Sequence, residues 1–173
     1  MKGFVIGVVV GILGVAAVVY VYFATGMAPV ATSAAPMPFE KTFAGMALHA
    51  RLEKETPTQV PVPADEVNLL AGAHVYMEHC DVCHGIPGKG QTAIAKGEFP
   101  RPPHLFKGNG VTDDEPGETY WKVANGIRLT GMPGFNQSLS TTEMWQVSLL
   151  LAHADKLPDA AKAVLVEPNK SGT

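Results

Sequence analysis

The sequence predicts an all-α protein in which one N-terminal transmembrane helix precedes a small helical domain. Three observations predict it. Residues Gly3 to Ala24 hold no charge and almost no polar group, a run long enough to cross a bilayer core as a helix, which takes about 20 residues. Ser140 and Glu143 have the spacing of a capping box, and Leu139 with Met144 forms the matching hydrophobic staple at the head of an apolar-periodic run. No segment has the strict alternation of a half-buried strand.

The first segment, residues 1–25, reads as a signal-anchor. A cleaved secretory signal has a shorter apolar core, roughly 7–15 residues, although the small-residue stretch Ala31-Thr32-Ser33-Ala34-Ala35 offers a place to cut. Tyr20, Tyr22 and Phe23 stand at the far end, where aromatic rings suit a membrane interface. Lys2 and the amino terminus favour leaving that end in the cytoplasm, so the rest of the chain is exported. Gly3, Gly7, Gly11 and Gly14 share one helix face. They form either a groove for a partner helix of a membrane complex or the ordinary glycine content of a membrane helix.

Residues 26–63 read as a linker containing one amphipathic helix. Gly26 to Pro38 is rich in Ala, Pro, Ser and Thr. Over residues 39–55, Phe39, Phe43, Met46 and Ala50 repeat at i, i+4, i+7 and i+11, an apolar stripe expected to lie on the helical domain, a membrane surface or another subunit. Three prolines between Thr56 and Pro63 predict an extended spacer.

The helical domain is expected over residues 64–158. Asp65 suits an N-cap for a helix running to about His79. Residues 85–110 are dense in Gly and Pro and predict loop. Pro116 and Gly126 suit the start and end of a second helix. In the last helix Trp145, Leu149 and Ala152 mark the buried side, and Pro158 follows the end. Residues 159–173 are expected to be a tail, frayed from Ala160 onward.

With a formal net charge of −3 the 173-residue chain lacks the basic character of a nucleic-acid binder. Its densest charge is Asp113-Asp114-Glu115 with Glu118. That cluster reads either as a solvated helix start favoured by the dipole or as a patch that steers a basic partner.

The chemistry is concentrated in Cys80-Asp81-Val82-Cys83-His84, which holds both cysteines of the chain. C-x-x-C-H is the attachment signature of a c-type haem. Two thiols three positions apart each add to one vinyl group of the porphyrin, and His84 then supplies an imidazole to the iron. A thioredoxin-like dithiol would need a βαβ setting. A zinc site would need two more close ligands. The pattern therefore predicts one covalent haem c, held by Cys80 and Cys83 and ligated by His84. Thioethers of this kind are normally made on the outer side of the bacterial inner membrane, in agreement with an exported domain facing the periplasm.

For the second axial ligand the downstream methionines are Met132 and Met144. Met132 lies in Gly131-Met132-Pro133-Gly134-Phe135, an irregular turn free to aim a thioether sideways. Met144 is explained as staple and core. His104, in the proline-rich loop, is the rival ligand, and His153 is expected to be solvated. His/Met ligation is a known option for cytochromes c, so the predicted metal ligands are His84 and Met132.

Together these pieces resemble a class I (mitochondrial-type) monohaem cytochrome c domain from about Ala64 to Leu157. The matching residues are Gly72 and Tyr76, Cys80 to Gly85, Arg101-Pro102-Pro103-His104-Leu105, Asn125-Gly126-Ile127, Gly131 to Phe135, and Glu143-Met144-Trp145. The resemblance implies a small set of helices wrapped around the haem, with the first and last in close contact at Gly72. It implies that Pro103 offers its carbonyl to the His84 ring and that Leu105 packs on the haem. It leaves Arg101 either pairing with a haem propionate or standing as a plain surface arginine. Leu150 departs from the family's frequent aromatic residue, which weakens one helix contact. The implied activity is single-electron transfer between respiratory or photosynthetic chain components, by an electron carrier and not an enzyme in itself. The alternative is the cytochrome subunit of a larger membrane oxidoreductase complex. The implied partners are the membrane and redox proteins.

Overall fold

The computed structural model describes residues 1–107 and 114–166. Among them there are eight helices and no strand. The chain divides into two compact units, Met1–Phe43 and Ala44–Thr173.

In the first unit, α1 spans Lys2–Ala24 and buries none of its residues. At 1.5 Å per residue it is about 34 Å long, and it is long and apolar enough to cross a membrane, a property a signal sequence shares. It ends at Thr25, whose hydroxyl and N–H both bond the Val21 carbonyl. The next helix, α2 (Glu40–Glu55), starts where the Glu40 carboxylate accepts the Met37 N–H at 2.8 Å. Among the described residues nothing covers the expected stripe, which leaves a membrane surface or another subunit of its three expected neighbours. Phe39 is 70%, Phe43 65% and Met46 62% exposed, whereas Leu52, off that stripe, is buried.

The second unit begins its packing at the end of α2. Beyond Leu52, the Trp121 indole N–H donates to Glu55 at 3.1 Å, and Arg51 pairs with the same carboxylate at 2.7 Å. Residues ahead of Ala64 therefore belong to the same packed body as the helices that follow.

These are α3 (Glu66–His79), α4 (Asp81–His84), α5 (Ala93–Gly97), α6 (Pro116–Asn125), α7 (Thr141–Ala152) and α8 (Asp159–Val166). Asp65 caps α3 by accepting the Asn68 N–H at 2.9 Å. Pro116 opens α6, where its missing N–H leaves nothing unpaired. Ser140 and Glu143 form the reciprocal capping box of α7, and Leu139 and Met144 of the staple are both buried.

α7 lies between α3 and α6. That is why it buries Val147, Ser148, Leu150 and Leu151 as well as Trp145 and Leu149, more sides than the expected one. Gly72 makes the α3–α7 contact close. A Cβ there would strike the Gln146 carbonyl oxygen and lie 2.7 Å from its carbon and 3.1 Å from Leu150 Cβ. Leu150, the departure from the family pattern, is fully buried.

The tail departs from expectation. Asp159–Val166 is a helix, with Ala161 and Leu165 fully buried. Their i, i+4 spacing gives a short apolar face, and α8 lays it on α3. Truncating Leu165 to alanine should cost about 3 kcal/mol, read as a lower urea midpoint with an unchanged slope; a frayed tail would leave the midpoint where it was. Ser140→Ala should cost about 1 kcal/mol, a fall of roughly 5 °C in Tm. The Ser140 hydroxyl and backbone N–H hold the Glu143 carboxyl below the usual carboxylate range. That stability is present above the unfolded pKa and is lost as pH falls through the folded one. Ser140→Ala should accordingly lose less stability on acidification than the parent chain.

Candidate haem site

The C-x-x-C-H motif sits at a helix junction. Cys80 ends α3, donating its N–H to the Tyr76 carbonyl, and starts the single turn of α4, where its own carbonyl accepts the His84 N–H at 2.9 Å. Positions three and four apart on a helix share a face, so this turn carries Cys80, Cys83 and His84 on one side. The Gly85 carbonyl accepts the buried Tyr76 hydroxyl at 2.6 Å, which ties the motif back to α3.

Both thiols are free. Burial pushes Cys80 up to about 12. Burial and then the neighbouring Glu98 push Cys83 up to about 11. Both shifts favour the neutral thiol over the thiolate.

His84 Nδ1 stands 2.9 Å from the Pro103 carbonyl oxygen. A carbonyl only accepts, so Nδ1 carries the proton and Nε2 is left with its lone pair. Burial also holds the imidazole below its ordinary pKa, which favours the neutral, ligating form. The Leu105 N–H donates to the His84 carbonyl at 3.2 Å, fixing the Pro103–Leu105 strap along the motif.

His104 is engaged at both ring nitrogens. Nδ1 accepts the Phe106 N–H at 3.2 Å, so Nε2 carries the proton and donates to the Lys89 carbonyl at 3.0 Å. Neither nitrogen is left for a metal, and His104 is a brace of its loop. His153 Nδ1 lies 2.9 Å from the Leu149 carbonyl.

The Met132 turn is built on the end of α6. Gly126, at φ 66°, closes that helix, and a Cβ there would be 2.5 Å from the Gly134 nitrogen. The Ile127 N–H donates to the Met132 carbonyl at 3.2 Å, and the Phe135 N–H to the Val123 carbonyl at 2.9 Å. Thr130 braces the turn from inside: its hydroxyl donates to the Ile127 carbonyl at 2.6 Å and accepts the Met132 N–H at 3.1 Å. Met132 is half-buried and packs on the core, as do Cys80, Leu105, Phe106, Tyr120 and Phe135. Met144 is buried in the same core.

Arg101 is exposed and directs its guanidinium to the Lys96 carbonyl at 3.5 Å. Asp114 and Glu118 grip Lys122 at 3.0 and 2.7 Å. Their carboxylates outweigh burial and raise its pKa. That part of the acidic cluster is satisfied internally, and Asp113 lies outside the described residues.

Three residues at the site have roles that the sequence alone did not reveal. Thr130 shapes the methionine turn, Tyr76 hydrogen-bonds Gly85, and Glu98 touches Cys83. Only Tyr76 carried a signal, its place in the family pattern.

The donor set fits a haem c. Two neutral thiols and an imidazole with Nε2 free share one face, and a thioether sits in a separate turn. Leu105, Phe106, Tyr120 and Phe135 are half-buried on the same core as Cys80 and Met132, apolar surface of the kind a porphyrin would cover. Among the described residues no cluster of three or more His, Cys, Asp or Glu is arranged to hold a bare metal ion.

Residues 67–149 match a family model described as cytochrome c oxidase, cbb3-type, subunit III. The match supports a cytochrome c domain there, and such a domain implies haem c and an electron-transfer cytochrome. A solved structure of a reducing HAO-like protein complex from Kuenenia stuttgartiensis is similar at 27% identity with a TM-score of 0.47. The similarity covers 58% of this chain and 52% of that one, so the chain spans about half its length. No curated protein matches the chain.

Proposed function

We propose that the chain is a membrane-tethered, single-haem c-type cytochrome of class I type. It would pass single electrons between respiratory or photosynthetic chain components on the periplasmic side of a bacterial inner membrane. The observation that carries the reading is the His84 ring: Nδ1 is held by Pro103, and Nε2 stands free beside two neutral thiols. The haem would supply a one-electron couple. Cys80 and Cys83 would fasten it, each thiol adding across a vinyl group. His84 would hold the iron through Nε2, with the Pro103 carbonyl fixing the ring and raising its basicity. Met132, set by Thr130, would be the second residue to hold the iron. The two ligands then leave no coordination position for a substrate, so the chain carries electrons without transforming one. A thioether ligand and a buried setting both raise the reduction potential. Leu105 would cover the ring, and Arg101 stands outside as a surface arginine. α1, left in the membrane, would keep the domain near integral complexes and raise its effective concentration there.

The family description favours a second reading, in which the chain is the haem subunit of a membrane oxidoreductase complex. The glycines at 3, 7 and 11 would then seat another helix; among the described residues a Cβ built at each would meet nothing within 4 Å beyond the backbone of α1 itself.

Purified mature protein should show a c-type spectrum that survives denaturation and acid–acetone extraction, at one haem per chain. Protein with no stoichiometric iron would end the proposal. Recovery from mild detergent as a lone chain would favour the carrier, and co-purifying integral subunits would favour the complex.

A further inference from the structure

Between the two segments that carry the proposed ligands stands a carboxylate with no part in the roles above. Glu98 is half-buried in the segment leaving α5. Its Oε1 accepts the Cys83 thiol proton at 3.2 Å. Its Oε2 lies where any Cβ at Gly131 would strike it. Glu98 therefore touches the attachment motif on one side and the methionine turn on the other. Among the described residues no ion pair neutralises it, and the nearby Arg101 turns to a backbone carbonyl instead.

The attachment chemistry changes the situation of this group. Once the Cys83 sulfur is committed to a thioether it has no proton to donate. The carboxylate then loses the only side-chain donor it has among the described residues, while remaining against the motif. A charge in a half-buried place is screened less than one in water. Glycine at 131 matters for the same reason, because a side chain there would push the carboxylate away.

We propose that Glu98 is a fixed negative charge at the edge of the haem pocket that holds the reduction potential of this domain down. The inference rests on the haem reading above. When one electron leaves for a redox partner protein, one positive charge is added beside Glu98, and the carboxylate stabilises that oxidised state. It thereby opposes the upward pull of a methionine ligand and a buried haem. Glu98 acts through charge alone and is a positioning residue for the couple, not a ligand.

The test is a spectroelectrochemical titration of the full-chain holoprotein in detergent. Glu98→Gln, nearly the same shape without the charge, should shift the midpoint upward. Poised at the parent midpoint, that variant should then be several-fold more reduced than oxidised. Glu98→Asp should stay near the parent, and Glu98→Lys should go further up than Gln. The Gln shift should shrink as salt is raised. A Gln midpoint equal to the parent's, or an Asp shift as large as the Gln shift, would overturn the proposal. Loss of haem from both Glu98→Gln and Glu98→Ala, with retention in Glu98→Asp, would make the residue a brace for attachment and overturn it equally. Parent protein without any haem band would sink the underlying reading instead, so the two failures are told apart.

Discussion

Met132→Ala should turn a closed electron carrier into a protein that binds carbon monoxide when reduced. On the proposed ligation His84 holds one face of the iron and Met132 the other, so the parent should bind carbon monoxide slowly or not at all. Alanine has no donor atom, and it leaves the thioether's place on the core unfilled. The turn itself should persist. It is fixed by the Thr130 hydroxyl and the Ile127 and Phe135 backbone bonds, none of which uses the thioether. Axial ligation tunes haem potentials over about 0.8 V, so losing the thioether should lower the midpoint on the order of 0.1 V or more. Met144→Leu is the control. Met144 is buried in the core as the partner of Leu139, and its replacement should change neither the potential nor carbon monoxide binding. An unchanged potential in Met132→Ala would mean that Met132 is not a ligand.

Gly72→Ala should destabilise the second unit, against the direction of helix propensity. In an open helix the change would be worth about 1 kcal/mol in favour of alanine. Here the added Cβ meets a backbone carbonyl of α7, which cannot rotate aside as a flexible side chain would. Overpacking costs typically 1–3 kcal/mol and occasionally more, and parting α3 from α7 disturbs Tyr76, Val147 and Leu150, all fully buried. The steric term should therefore win, with a net loss of about 1–2 kcal/mol once the propensity gain is subtracted and a fall in Tm of roughly 5–10 °C. Thermal unfolding followed by far-UV circular dichroism checks the sign. A variant as stable as the parent would show that the two helices can separate at little cost.

Much of this arrangement was legible in the chain because it is written in local chemistry. A capping box, a proline at N1 and an N-cap aspartate each act within a few residues, and the helices start where they say. The C-x-x-C-H spacing is local too. What escaped was set by partners distant in sequence. Leu165 is buried only because α3 is there to receive it. The Phe39 stripe looks like a core face, yet Leu52 is the residue of that helix that finds cover. Glu98 meets Cys83 across 15 residues and Gly131 across 33, and no pattern within a few positions of it announces either contact. His104 stood as a rival ligand until both of its nitrogens were seen to be taken. Those bonds run to Lys89 and Phe106, one of them far along the chain.

The bond between Trp121 and Glu55 has a consequence for how far the protein can roam. With Leu52 and Glu55 fastened to the body, the stretch that joins α1 to α2 is residues 25–39, which form no helix, and these would set the reach if they flex. Fifteen residues of flexible chain span roughly 20 Å root-mean-square. With α1 kept in the bilayer, such a short leash excludes long excursions. Electron donor and acceptor would have to stand as close neighbours in the same patch of membrane, and lengthening the leash should slow turnover between them while leaving the midpoint potential untouched.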